Sequence, residues 1–170
     1  GVGTELGDIS IASAADFTAD STIEAASLVT VGTGTTTLNG AVTSTGGFGV
    51  NVAADTILVD AAITTTAGDV DLDATAGTLT MTDNADVNAT GAVNFTAVGG
   101  IFTEGDVTAS TSADYNSAVN LTGAVTANST GAITFDSTIS GGQTLVLNGN
   151  TVTLRGSVGD SGAGLTALAS

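Results

Sequence analysis

The chain has 170 residues, of which 17 are acidic and one, Arg155, is basic, and it contains no His, Cys, Pro or Trp. One cation cannot build a positively charged groove, which excludes nucleic-acid binding. The absence of His and Cys excludes Ser–His triads, thiol nucleophiles and Cys/His zinc sites. Apolar residues make up 42% of the chain. We therefore expect a single folded domain over residues 1–170, either complete or a segment of a longer protein.

The membrane is not an expected partner. No stretch approaches the roughly 18 apolar residues of a membrane-spanning helix. No basic segment followed by an apolar one opens the chain, as it would in a signal peptide. The sequence therefore predicts no membrane insertion.

A repeated phrase runs along the chain: an apolar residue, a short corner of small or polar residues, and then Val or Ile. It occurs at residues 17–23, 38–42, 59–63, 81–87, 102–107, 121–125, 135–139 and 154–158. The closing residues are mostly about 20 apart, except for a step of 14 from Val125 to Ile139. A nearly constant period of this length is typical of solenoid proteins.

A second phrase fills the gaps, with Gly followed by alternating apolar and polar residues. It occurs at 49–52, 68–73, 91–95 and 131–135. Strict alternation predicts β-strands whose side chains point inward and outward in turn. Val, Ile, Thr and Phe favour strands, while Gly, Asn and Asp favour corners. Helical periodicity is missing, so the chain is predicted to be all-β.

Two all-β architectures fit these patterns. An antiparallel β-sandwich is one, since Asn39-Gly40 and Asn148-Gly149 suit tight hairpin turns. The other is a parallel β-helix of about eight rungs of roughly 20 residues, with three short strands in each rung. The constant period and an aromatic content of only 4% favour the β-helix. Its predicted core consists of columns of Val, Leu and Ile together with Phe17, Phe95, Phe102 and Phe135.

The phrases G-x-V-x-L and L-x-G-A-V-T, in a background of Thr, Ala, Gly and Asp, resemble the repeats of filamentous-haemagglutinin-like exoproteins. The resemblance covers roughly residues 8–170, and no stretch matches that family's secretion domain. Those proteins are large secreted bacterial adhesins with a right-handed β-helical shaft. The resemblance implies an extracellular structural or adhesive protein, a shaft or filament subunit of a bacterial or archaeal surface structure, and not an enzyme.

The partners expected of such a protein follow from its open strand edges and its surface. They are further copies joined end to end or laterally into a fibre, neighbouring repeats of the same chain, or a glycan or protein on a host or cell surface. Lateral packing would use Thr and Asn surfaces or bridging cations, because one Arg cannot supply salt bridges.

Stacked rungs would place Asn51, Asp71 and Asn94 one above another on the outer surface. An Asp between two Asn avoids the repulsion of three stacked carboxylates. The simplest interpretation is a structural ladder of polar side chains that hydrogen-bond along the coil.

Calcium is the alternative interpretation of the acidic residues. Asp69, Asp71 and Asp73 alternate along one predicted strand, and Asp83 and Asp86 form an acidic corner. Such oxygen ligands suit Ca²⁺, although the EF-hand loop and the β-roll nonapeptide are both missing. No cofactor is required, and calcium is the candidate ion for these five residues. The alternative function is a calcium-dependent glycan-binding or polysaccharide-degrading β-helix protein.

Asn and Arg are the remaining residue types that could form a modification or catalytic site. N-x-S/T acceptors occur at Asn88, Asn94, Asn120 and Asn128. We expect Asn88 and Asn128 to lie at corners, which makes them the candidate glycosylation sites. Arg155 is the one candidate base for a lyase, but it falls in a phrase aligned with the other corners. With no long loop to build a cleft, the chain is not predicted to be an enzyme.

Overall fold

The structure is a computed structural model that describes residues 6–159 and 167–169. The described residues contain strands and no helix, and therefore no helix able to cross a membrane. Every strand pairing among them is parallel. The all-β parallel fold is thus confirmed, and the antiparallel sandwich is wrong.

The chain winds into a β-solenoid of about seven turns of roughly 20 residues each. The middle turns contain three separate strands, as in β5 (Val42–Ser44), β6 (Val50–Ala54) and β7 (Thr56–Val59). We call the three sides that these strands occupy face 1, face 2 and face 3. The connections between successive strands from residue 6 to residue 154 contain at most five residues, at 45–49 and 82–86.

Faces 1 and 2 belong to one thirteen-stranded sheet of the described residues. Face 1 continues from β5 through β8 (Ile63–Thr65), β11 (Val87–Ala89) and β14 (Val107–Ala109). Face 2 continues from β6 through β9 (Val70–Ala74), β12 (Val93–Ala97) and β15 (Ser112–Tyr115). Longer strands supply both faces in other turns: β1 (Leu6–Ala14), β3 (Ile23–Gly32), β17 (Val125–Phe135) and β19 (Thr144–Leu154), with β20 (Ala167–Ala169) paired to β19.

Face 3 is a separate sheet of seven strands. Its other members are β2 (Phe17–Ala19), β4 (Thr35–Leu38), β10 (Leu79–Met81), β13 (Ile101–Thr103), β16 (Val119–Leu121) and β18 (Ile139–Ser140).

In-register pairing stacks like residues into columns that fill the core. The inward column of face 1 contains Ile23, Val42, Ile63, Val87, Val107, Ala127 and Leu147. A slip of one residue would turn an apolar column toward water, so burial enforces the register.

Three aromatic rings form the centre of the inward column of face 2. The Tyr115 ring stacks on Phe135 with ring centroids 4.2 Å apart, and it meets the edge of Phe95 at 5.3 Å. Phe95 and Phe135 are buried as predicted, and Phe17 is half-buried against the core. Tyr115 is a core residue that was not predicted.

Phe102 was assigned to the core, and this prediction is wrong. Ile101 and Thr103 on either side are both buried, so the alternation of β13 turns Phe102 outward, where it is half-buried. Ile101 and Thr103 both fit the interior. The buried hydroxyl of Thr103 donates a hydrogen bond to the Gly105 carbonyl at 3.4 Å.

The predicted 14-residue step from Val125 to Ile139 is wrong, because these two residues belong to different faces of the solenoid. Val107 pairs with Ala127, whereas Val125 is buried at the start of β17 and pairs with Leu145. Ile139 belongs to face 3, where it pairs with Val119, and Val158 forms a bridge with Ile139. The period near twenty therefore continues through this region.

Candidate cation-binding and modification residues

The predicted polar ladder exists on the outer side of face 2. Asp71 pairs with Asn51 on one side and Asn94 on the other, and Asn94 pairs in turn with Asp114. Amide and carboxylate therefore alternate along the coil over these four turns. All four side chains are half-buried. Among the described residues no hydrogen bond joins the side chains of Asn51, Asp71 and Asn94, so the stacking is confirmed but the predicted hydrogen bonding along this column is wrong.

The fold raises the pKa of the Asp71 carboxyl. Partial burial raises the pKa of its carboxyl, and the negative charges of Asp73 and Asp69 on the same stretch of chain raise it further. Protonation, a bound cation or replacement by a neutral side chain would remove this unfavourable charge.

Replacing Asp71 by Asn is expected to stabilise the protein at neutral pH by less than about 1 kcal/mol, because it removes a charge that is partly desolvated and repelled by like charges, while solvent screens much of that repulsion at a half-exposed site. Since the pKa is higher in the folded state, wild-type stability falls as the pH rises from 3.8 toward the folded value. The advantage of Asp71→Asn should therefore vanish below pH 3.8, as urea unfolding at several pH values would show. The control is Asp83→Asn, which changes net charge equally at an exposed corner and should have no effect.

Asp69 and Asp86 have structural roles that the sequence did not reveal. Asp69 Oδ1 accepts a hydrogen bond from the Ala92 N–H at 2.7 Å, and Asp86 Oδ1 accepts one from the Asp106 N–H at 2.9 Å. Asp106 Oδ1 repeats this contact with the Thr126 N–H at 2.6 Å. Each carboxylate thus ties a corner to the next turn through a charge-assisted hydrogen bond. The signal in the sequence is the dipeptide Asp-Val at the start of these strands.

The five candidate metal ligands lie in two places. Asp69, Asp71 and Asp73 are on and just before β9 in face 2, while Asp83 and Asp86 are in the corner between β10 and β11. In residues 6–159 no three acidic side chains converge into a group that could hold a metal ion. Calcium binding by these residues stays a prediction.

The candidate glycosylation sites are not at corners. Asn88 lies in the middle of β11 and Asn128 lies within β17, in the same outward column of face 1. The corner assignment is wrong because the strands of face 1 run through both positions. Asn128 Oδ1 accepts a hydrogen bond from Asn148 Nδ2 at 2.8 Å, whereas Asn88 is exposed. Glycosylation of either residue stays a prediction.

Arg155 forms an ion pair with Asp136 of the preceding turn, with Nη1 and Oδ1 2.7 Å apart. Its backbone N–H donates a hydrogen bond to the Phe135 carbonyl. Arg155 therefore lies in the corner after face 2, and the prediction that aligned it with the corners leading into face 1 is wrong. The pair is mostly exposed, and such pairs contribute little to stability. No cavity is found in the part of the chain that the structure describes.

Comparison of the sequence and the structure with protein families, with curated proteins and with solved structures finds no match. The fold is that of a β-solenoid repeat protein.

Proposed function

We propose that this chain is part of an extracellular structural or adhesive protein, as a β-helical shaft segment or a filament subunit on a bacterial or archaeal surface. The observation that carries the proposal is the continuous stacking of each turn on the next from residue 6 to residue 154, with only short corners between strands. Such a coil grows in length by about 4.8 Å per turn without changing its width.

The resemblance to filamentous-haemagglutinin-like repeats supports the same role. It rests on the Gly-rich phrases and on the Thr, Ala, Gly and Asp background. In the solenoid these phrases become the strands and corners of successive turns. Large secreted adhesins use such coils as spacers that hold a binding surface away from the cell.

The distribution of charge also favours a shaft. Apolar columns fill the interior, while the acids of the described residues lie at corners or on outward strand positions. A charge of −16 spread along a rod is less repulsive than on a sphere, and salt or divalent cations offset part of it. The proposed partners are further turns or copies of the same chain and glycans or proteins at a cell surface.

Immunogold electron microscopy of the source cells tests this proposal. Antibodies raised against the 170-residue chain should label filaments or projections outside the cell envelope, and pre-immune serum is the control. Labelling confined to the cell interior would overturn the proposal.

Thermal unfolding in calcium and in chelator separates the shaft from the calcium-dependent alternative. A plain shaft should show nearly the same unfolding temperature in both. A large rise with calcium, but not with the same concentration of magnesium, would favour a calcium-dependent glycan-binding protein and count against the shaft.

A further inference from the structure

Face 3 differs from the other two faces in carrying no charge. None of its seven strands contains an acidic or basic residue. Its outward column contains Thr18, Thr37, Leu58, Thr80, Phe102, Asn120 and Ser140. In a chain with 17 acids, an uncharged sheet of this size requires an explanation.

The other two faces offer the comparison. The outward side of face 2 carries Asp71, Asp73 and Asp114. The outward column of face 1 begins with Glu24 and continues with Thr and Asn. Only face 3, among the described strands, combines the absence of charge with large apolar residues in its central outward column.

Those apolar residues are Leu58 and Phe102, two turns apart in one column with Thr80 between them. Val98, in the corner that leads into β13, is 74% exposed. Leu58 and Phe102 are half-buried, so the solenoid's own core covers them only in part. Partly exposed apolar groups on an uncharged surface are typical of a contact surface.

We propose that face 3 is the surface through which this chain packs laterally against a second copy of itself. This inference rests on the proposed structural function and specifies one contact within it. Contact through face 2 would oppose carboxylates, and the single Arg155 cannot neutralise them. The Thr, Ser and Asn side chains of face 3 each donate and accept hydrogen bonds, so the face is complementary to itself.

The size of the face predicts a weak contact for a segment of this length. Strands of mostly three or four residues at about 3.3 Å per residue give a face about 10–13 Å wide, and seven strands at about 4.8 Å span about 30 Å. This area of about 300–400 Å² is about half of the ~800 Å² that each partner buries in a standard interface. Acids at the flanking corners, Asp60 and Glu104 among them, add repulsion that salt reduces.

The test is a comparison of two double variants of the full chain. Thr37→Asp with Thr80→Asp places two carboxylates in the central column of face 3, two turns apart. Thr64→Asp with Thr108→Asp places the same charges, at the same spacing, in the outward column of face 1. Circular dichroism verifies that both variants keep the β spectrum.

Sedimentation equilibrium and small-angle X-ray scattering are measured over a range of protein concentrations in moderate and high salt. Wild type and the face 1 variant should associate with a larger cross-sectional radius of gyration, more strongly in high salt. The face 3 variant should associate at least about tenfold more weakly, since the added carboxylates of the two copies would face one another across the contact. If the face 3 variant loses its fold, Leu58→Ser with Phe102→Ser, which adds no charge, replaces it with the same expected weakening.

Three results would overturn the proposal: a wild type that keeps a single-solenoid cross-section in all conditions, equal weakening by the two double variants, or growth in length alone. None of them bears on the cell-labelling test of the shaft. Conversely, labelling inside the cell would overturn the shaft and leave a lateral contact measured in solution intact.

Discussion

Replacing Phe135 by Ala is expected to lower the free energy of unfolding by about 3–5 kcal/mol. The side chain is fully buried, and it stacks on Tyr115 with ring centroids 4.2 Å apart. It also pairs with Leu154 on the next turn. Because each turn of a solenoid is stabilised mainly by its neighbours, a cavity here weakens the contacts on both sides of β17. Urea unfolding followed by circular dichroism measures the loss.

The control for this prediction is Tyr115→Phe, which keeps the stacked ring and removes the hydroxyl. That hydroxyl is buried and has no hydrogen-bond partner. Burial and the charge of Asp106 raise the pKa of Tyr115, so the group is neutral in this environment. Removing an unsatisfied polar group should stabilise the protein by about 1 kcal/mol. A Phe135→Ala variant with unchanged stability would show that the aromatic column does not hold these turns together. A Tyr115→Phe variant that loses stability would show that the hydroxyl contributes a favourable contact.

Replacing Gly49 by Ala is expected to destabilise the protein by more than about 2 kcal/mol. Gly49 has φ of +64°, a left-handed conformation that disfavours any side chain. A Cβ at this position would also overlap the backbone carbonyl oxygen of Asp69 on the next turn. That oxygen cannot easily move, because it accepts a hydrogen bond from the Val50 N–H at 2.9 Å.

Gly47, two residues earlier in the same corner, is the matched control. A Cβ built on it would meet nothing within 4 Å. Gly47→Ala should therefore leave stability unchanged or raise it slightly, since Ala restricts the unfolded chain. Equal losses for the two variants in the same urea series would refute the steric argument and point to a general need for flexibility in this corner.

The sequence predicted the repeating features of the fold well. A period near twenty residues and strict alternation within it favoured the parallel β-solenoid over an antiparallel sandwich, and the structure confirms it. Stacking then placed Asn51, Asp71 and Asn94 in one column, as the pairing of β6, β9 and β12 confirms. These features are predictable because the same alternation of apolar and polar residues recurs in most turns.

The predictions failed where one turn departs from the repeat. The chain from Leu121 to Ala127 is longer than the equivalent corner in the preceding turn, so aligning phrases by similarity shifted the register by two residues. The prediction that Phe102 is buried failed because its two neighbours, Ile101 and Thr103, can also lie in the core.

The roles of the acidic residues could not be assigned from the sequence. Whether an Asp repels its neighbours, as at Asp71, or bonds a backbone N–H, as at Asp86, depends on the turn stacked beside it. The same holds for Asn88, whose position in a strand or a corner depends on pairing with Thr64 and Thr108.

The sequence by itself determined that this acidic chain forms short strands with a repeat near 20 residues, and it favoured parallel coiling over an antiparallel sandwich, because alternation and period are properties of residues along the chain. Only the tertiary structure decided which outward side chains lie next to one another, since residues about 20 apart become neighbours only when the turns stack. Stacking showed that several acids tie one turn to the next and that the strands of face 3 carry no charge. Those properties arise between turns, where strands about 4.8 Å apart bring distant residues into contact.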